Sequence, residues 1–187
     1  PSKADARHEL NLPENAKIIL SWGFIWESKG LLELVNILAE VKKTYPEAML
    51  IHAGGIHPIL QKSAYVSTIL KSAIKLGLGP KDLIITQWVP EDKVPVWFGS
   101  ADVIVLNYMR GSASASGAAH RTLSAHRPII KTDDLCLEDV PGYEVPRFDV
   151  NALYDGILKV LGDESLQRTL VEQAEKASIE TSWQSVA

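Results

Sequence analysis

The sequence predicts an α/β protein with a doubly wound, Rossmann-like parallel sheet of about six strands and helices on both faces. Short apolar runs rich in β-branched residues, such as Val103 to Leu106, are typical of strands buried on both faces. These runs alternate with stretches in which apolar residues recur every three or four positions, as they do in a helix. No internal repeat, low-complexity tract or long linker divides the 187 residues, so a single domain over residues 1–187 is expected.

The first half of the chain predicts alternating strands and helices after a polar leading segment, residues 1–16. Lys17 to Leu20 begins the first buried strand, which ends at Gly23. Apolar residues at 31, 34, 35, 38, 41 and 45 predict a helix that ends before Pro46. Two glycines, Gly54 and Gly55, close the second strand, which implies unusual backbone angles or close approach by a ligand. The elements that follow are a helix over 64–76, a strand over 83–85 that extends to Val89, and a helix over 94–100.

The stretch from residue 103 to residue 134 organises the second half. A loop of small residues follows its first strand and leads into a helix of about ten residues that ends near His126. Pro128 blocks this helix and begins a strand over 128–130. The closing elements are a short strand at 143–145 and helices over 150–161 and 166–179. A helix that begins beyond the carboxyl end of a parallel strand favours a bound anion through its N–H groups and dipole, although an ordinary crossover has the same pattern.

Composition excludes several classes of protein. The net charge of −4 and the pI of about 5.7 give no support for a general nucleic-acid or membrane surface. Cys136 is the single cysteine, which excludes an internal disulfide and suits a reducing, cytoplasmic compartment. No cofactor and no metal site are expected, because the histidines at 52, 57, 120 and 126 lack a matching set of acidic or thiol ligands. The chain begins with Pro1 and not with methionine, so we expect a fragment of a longer protein.

Ligands of doubly wound sheets bind beyond the carboxyl ends of the strands. The connections expected there hold most of the glycines and serines, and they cover residues 23–30, 54–59, 88–92, 108–117 and 132–138. Within and between them lie short motifs in one order: GlyPheIleTrpGluSerLysGly at 23–30, AlaGlyGly at 53–55, TrpValPro at 88–90, AlaAspVal at 101–103, SerAlaSerGly at 114–117, ArgProIleIle at 127–130 and SerTrp at 182–183. This order resembles the C-terminal, donor-binding domain of GT-B glycosyltransferases, specifically the retaining enzymes of family 4.

The resemblance implies that a nucleoside-diphosphate sugar binds in this crevice. The residues that match the diphosphate region are Gly23, Phe24, Lys29, Ser114, Ser116 and Gly117. Those that match the nucleobase and ribose region are Gly54, Trp88, Val89 and Arg121. An ammonium is a compact counter-charge for a diphosphate, which favours this role for Lys29 over that of a solvated loop lysine. Trp88 is equally explained as a core aromatic. No catalytic residue is assigned.

Two departures from the family pattern concern the same site. Phe24 stands where many members have an arginine, and Ala113 and Arg121 stand where many have two glutamates. The second of these glutamates usually binds the ribose hydroxyls, whereas an arginine cannot accept a hydrogen bond and reverses the charge. The ribose contact is therefore altered, or the donor carries a further anion, or Arg121 has a structural role and pairs with an acid such as Glu138.

The resemblance also implies a function. The chain would be the donor half of a hexosyltransferase that works with retention, and the acceptor would be bound by an N-terminal domain that this chain lacks. The isolated domain is expected to bind nucleotide without turnover, and family members often work at the cytoplasmic face of a membrane. The alternatives are half of a nucleotide-sugar 2-epimerase, a non-catalytic nucleotide-binding or scaffold module, and a flavodoxin-like signalling domain.

Overall fold

The computed structural model describes residues 1–56, 64–109 and 116–181. Six parallel strands form one sheet in the order β3-β2-β1-β4-β5-β6. The strands are β1 Lys17–Trp22, β2 Ala48–Ala53, β3 Leu83–Ile85, β4 Val103–Leu106, β5 Ile129–Thr132 and β6 Tyr143–Val145. The helices are α1 Lys3–Glu9, α2 Leu31–Thr44, α3 Ala64–Lys75, α4 Val94–Ser100, α5 Gly117–Thr122, α6 Val150–Gly162 and α7 Glu164–Glu180. The predicted fold class is confirmed, and the strand order reverses between β1 and β4.

The core consists of two apolar clusters, one on each face of the sheet. Successive side chains of a strand point to opposite faces, so Ile18 and Leu20 belong to one cluster and Ile19 to the other. The cluster around Ile19 joins the sheet to α2, α3 and α6, and the cluster around Ile18 joins it to α4 and α5. Burial of strand residues on both faces explains why β1, β2 and β4 are almost continuously apolar in sequence.

The leading segment was predicted without a helix, and this is wrong. The Ser2 hydroxyl caps α1 by accepting a hydrogen bond from the Asp5 N–H. The helix was missed because it is polar, and one of its two buried residues is Arg7. The Arg7 guanidinium donates to the Ser100 carbonyl and pairs with Asp102 at 2.6 Å, so its charge is satisfied inside the protein.

Two predicted strand boundaries also differ from the structure. The third strand ends at Ile85 and does not extend to Val89. The fifth begins at Ile129, one residue after Pro128, and continues to Thr132. Pro128 has no N–H to donate, but its carbonyl still accepts a hydrogen bond from the Ile104 N–H. The predicted helix before it is α5, which tightens into a 3-10 turn at Leu123–Ala125 and ends at His126.

The turns that follow β1 and β2 touch each other through their backbones. Gly23 has φ +109° and Gly54 has φ +146°, and a Cβ on Gly54 would lie 2.0 Å from the Gly23 carbonyl oxygen. Buried His52 supports this contact, with its Nε2 2.9 Å from that oxygen and its Nδ1 3.2 Å from Ser21 Oγ. Because a carbonyl only accepts, Nε2–H donates to it and Nδ1 accepts from the Ser21 hydroxyl. His52 is thus neutral and structural, and burial lowers its pKa from 6.5 to about 4.

We expect His52 to make the fold sensitive to mild acid. Below pH 6.5 the unfolded chain protonates this imidazole, whereas the folded chain resists protonation until about pH 4. The unfolded state therefore binds more protons in this window, and the free energy of unfolding falls as the pH falls. The contribution of His52 is on the order of 3 kcal/mol. Denaturant unfolding at several pH values measures it.

His52→Gln is the control, because its amide can still donate to the Gly23 carbonyl but cannot gain a proton. As the pH falls from 6.5 to 4, the free energy of unfolding should decrease more for the wild type than for the variant. Parallel pH profiles for the two proteins would contradict the assignment of a neutral His52.

Candidate functional site

A cavity of about 240 Å³ lies beyond the carboxyl ends of β1 and β2, next to the point where the strand order reverses. Four segments line it: the turn after β1, the turn after β2, the connection from β3 to α4, and the first turn of α5. It brings together seven of the residues that the sequence predicted for the site: Gly23, Phe24, Gly54, Trp88, Val89, Gly117 and Arg121. Cavities of about 450 and 510 Å³ lie at the opposite, amino-terminal edge of the sheet and contain none of the predicted site residues.

Two aromatic side chains stand at the mouth of this cavity. Trp88 is 70% exposed, so it is not a core aromatic, and Phe24 is 40% exposed. Their ring centroids are 5.9 Å apart and their planes are inclined at 37°. Val89, between Trp88 and the turn that follows, is buried in the apolar cluster beneath. Exposed rings over a cavity offer a flat apolar surface on which another ring can stack.

Arg121 pairs with an acid from a different connection than the one expected. Its guanidinium forms an ion pair with Glu91 and lies 5.8 Å from the centroid of the Trp22 ring. The proposed pairing with Glu138 is wrong because α5 turns this side chain toward the connection from β3 to α4. The adjacent His120 makes the contact with the connection after β5, through Asp139 at 2.7 Å.

Lys29 adjoins the cavity without lining it. Its Nζ lies 3.3 Å from the centroid of the Tyr108 ring, and the Tyr108 hydroxyl lies 2.8 Å from Ser116 Oγ. Lys29 is half-buried and is therefore not a freely solvated loop lysine. Burial lowers its pKa to about 8, and the neighbouring Cys136 and Asp134 act in the opposite direction. Lys29 thus remains largely charged at neutral pH and lies on the same edge of the sheet as the cavity.

Ser116 is the N-cap of α5, and its hydroxyl accepts a hydrogen bond from the Ala119 N–H at 3.2 Å. No acceptor among the described residues takes a hydrogen bond from the N–H of Gly117 or Ala118, and both residues line the cavity. Ser114, Ala113, His57 and the SerTrp pair at 182–183 lie outside the described residues. The described part of the predicted serine loop therefore places Gly117 and Ala118 in the cavity wall with Gly23, and the Ser116 hydroxyl against Tyr108.

Two residues at the site were missed by sequence reasoning. Tyr108 lies inside a predicted crevice connection, but only its contact with Lys29 distinguishes it from a core aromatic. Glu91 lies three positions after Trp88, and this closeness to a predicted site residue was the signal that could have identified it. Its partner Arg121, however, is 30 residues away in the sequence. Pairings between distant elements depend on which way a side chain leaves a short helix, and periodicity does not specify this.

Within residues 1–56, 64–109 and 116–181, no three His, Cys, Asp or Glu side chains are grouped as metal ligands would be. In the same part of the chain, no helix has both the length and the apolar character needed to cross a bilayer.

Comparison with known proteins adds independent information. Residues 16–163 match the family described as "Glycosyl transferases group 1". YtcC of Bacillus subtilis (strain 168), whose name assigns it provisionally to the glycosyltransferases, is 24% identical over 170 residues, which is 87% of this chain and 41% of YtcC. The chain therefore spans about two fifths of the length of this curated relative.

Solved structures share the fold over nearly the whole chain. The sucrose-phosphate synthase of Thermosynechococcus elongatus matches with a TM-score of 0.84 at 25% identity, over 98% of this chain and 46% of that one. The C-terminal domain of LpcC, a glycosyl transferase group 1 family protein of Francisella tularensis, matches with a TM-score of 0.81 at 16% identity, over 96% of this chain and 92% of the domain.

A third similar structure contains a nucleotide. Anabaena Alr3699/HepE, solved in complex with UDP and with UDP-glucose, matches with a TM-score of 0.82 at 15% identity, over 95% of this chain and 48% of HepE. The expected likeness to the C-terminal half of a GT-B enzyme is confirmed at the level of the fold. Because the family match covers most of its length, the chain belongs to the glycosyl transferases group 1 family.

Proposed function

We propose that this chain is the domain of a retaining hexosyltransferase that binds the nucleoside-diphosphate sugar. The observation that carries the proposal is the cavity beyond β1 and β2, which has exposed rings at its mouth and a charged lysine beside it. The aromatic rings suit a nucleobase, and the glycine backbone and the cation that come next suit the phosphates that follow it. Membership of the family and the nucleotides bound to HepE support the same conclusion.

The diphosphate would lie between Lys29 and the start of α5. Gly23 would let the backbone approach the phosphates closely, and Gly117 and Ala118, which line the cavity, would offer their N–H groups as donors. Ser116 supplies a hydroxyl, and Ser114 keeps the role that the family resemblance implies. When the glycosidic bond of the donor breaks, negative charge develops on the departing diphosphate, and the Lys29 ammonium stabilises it.

The nucleoside would occupy the cavity, with its base against Trp88 and Phe24. The volume of about 240 Å³ is below the roughly 300–1,000 Å³ typical of complete ligand pockets, which suits one end of a longer ligand. Gly54 and Val89 form its apolar wall. Because Glu91 already neutralises Arg121, the site favours an ordinary nucleoside diphosphate over a donor with a further anion.

Transfer would need a second domain. The chain spans about half of the sucrose-phosphate synthase and HepE chains, and the remainder of the full-length enzyme would bring the acceptor to the crevice. We therefore propose that the domain by itself binds the donor in the cytoplasm without turning it over. The full-length enzyme would join the sugar to its acceptor with retention of configuration, as the family resemblance implies.

Calorimetric titration with UDP, GDP, ADP and their sugars tests the donor role. At least one of these nucleotides should bind the folded domain, and the matching nucleoside without phosphates should bind more weakly because it cannot reach Lys29. A folded domain that binds none of them at millimolar concentration would contradict the proposed function.

The affinity for the bound nucleotide should depend on pH through Lys29. Its ammonium is charged below its pKa of about 8, so the affinity is constant at lower pH and falls as the pH rises above this value. At pH 9 the loss approaches about tenfold, the factor expected one unit above a pKa. Titration calorimetry from pH 7 to pH 9.5 measures the profile.

Lys29→Ala should lower the affinity by about 1–3 kcal/mol at pH 7 and remove the pH dependence, because a charge-assisted contact is lost. Lys159→Ala is the matched control: the Lys159 ammonium also lies over a tyrosine ring, 5.3 Å from the centroid of Tyr143, away from the cavity. This control should keep the wild-type profile. An unchanged affinity in the Lys29 variant would show that Lys29 does not contact the nucleotide.

A further inference from the structure

Two backbone segments are joined directly on either side of Lys29. The Asn107 side-chain amide donates to the Gly30 carbonyl at 3.0 Å, and the Met109 N–H donates to the Ser28 carbonyl at 2.7 Å. The residues that flank Tyr108 therefore bind the residues that flank Lys29. Gly30 permits this contact, because its φ is +59° and a Cβ would lie 2.1 Å from the Asn107 amide nitrogen. These two hydrogen bonds thus fix the meeting of lysine and tyrosine.

Tyr108 is itself held rigidly and connects two parts of the proposed diphosphate site. It is 5% exposed, and the Thr132 hydroxyl is hydrogen-bonded to both its N–H at 3.0 Å and its carbonyl at 2.9 Å. One face of its ring lies under the Lys29 ammonium, and its hydroxyl shares a hydrogen bond with Ser116 Oγ. An ammonium this close to a ring centroid is attracted by the negative face of the ring.

The ring leaves the ammonium able to bind a ligand. A lysine carries three donors, and the aromatic face occupies one side of the group. Within the described part of the chain, no oxygen accepts a hydrogen bond from Lys29 Nζ and no carboxylate forms an ion pair with it. The charge is therefore held in place by an aromatic face and a fixed backbone, with its donors not engaged by any described acceptor.

We propose that Tyr108 is the positioning residue of the diphosphate site, whose ring fixes the Lys29 ammonium and whose hydroxyl fixes Ser116 before the ligand arrives. This inference rests on the proposed function, because it requires Lys29 to bind phosphate. A long lysine side chain that is ordered in the free protein loses less conformational freedom on binding. The ring and the hydroxyl make separate contributions, which substitutions can separate.

The test measures the affinity of whichever of UDP, GDP and ADP binds most tightly, in the full chain and its variants. Tyr108→Phe keeps the ring and loses the hydroxyl, so we expect about a threefold loss, as for one hydrogen bond. Tyr108→Leu also loses the ring, and we expect a loss of about tenfold or more, as for a partly desolvated cation–π contact. Circular dichroism and thermal unfolding establish that each variant is folded.

The decisive comparison repeats both substitutions in the Lys29→Ala background. If the ring acts through the lysine, the Phe and Leu variants should then bind equally well, because no ammonium remains to be positioned. A merely structural tyrosine would give the same ratio of affinities between the two variants whether or not Lys29 is present, and that result would overturn the inference while the proposed function stands. If the wild type binds no nucleotide, both the inference and the proposed function are contradicted.

A measurement on the wild type covers the case in which Tyr108→Leu does not fold. Protons above an aromatic ring resonate upfield, so the ε-methylene protons of Lys29 should be shifted upfield of those of the other lysines in a proton NMR spectrum. The Lys29→Arg variant lacks these protons, so the signal that disappears from its spectrum is assigned to Lys29. A Lys29 resonance at the position of the other lysines would show that the contact with Tyr108 is absent in solution and would overturn the inference.

Discussion

Close contacts at two glycines shape the carboxyl edge of this sheet. Gly54 lies against the Gly23 carbonyl, and Gly30 lies against Asn107, at distances that leave no space for a Cβ. These contacts join the turns after β1 and β2 and the segment after β4. A buried neutral His52 stabilises the first of them through the Gly23 carbonyl. The cavity and the lysine beside it exist because these connections approach each other so closely.

Among the charged groups described at this edge, Lys29 is the cation left to bind an anion. Arg121 is neutralised by Glu91 in the wall of the cavity, and His52 is kept uncharged by burial. Lys29 is held over Tyr108 and has no ion pair within residues 1–56, 64–109 and 116–181. A single ammonium next to N–H donors complements a diphosphate, while the exposed Trp88 ring complements a base. The proposed order of base, phosphates and sugar along the crevice follows from this arrangement.

Much of the fold could be predicted from the sequence, because burial on both sheet faces gives continuous apolar strands and amphipathic helices repeat every 3.6 residues. The two glycines after the second strand also predicted unusual backbone angles, and Gly54 has φ +146°. Side-chain pairing between distant elements could not be predicted. The Arg121 partner is Glu91 because a helix of only six residues sets the direction of the side chain. The first helix was missed because a buried, ion-paired Arg7 has no apolar signature.

A crystal structure of the domain with its tightest-binding nucleotide would show whether the diphosphate lies between Lys29 and α5. We expect phosphate oxygens within hydrogen-bonding distance of Lys29 Nζ and of the N–H groups of Gly117 and Ala118, with the base against Trp88. A nucleotide bound instead at the amino-terminal edge, for example in the cavity lined by Arg127 and Arg168, would contradict it. So would phosphates in the crevice that do not touch Lys29.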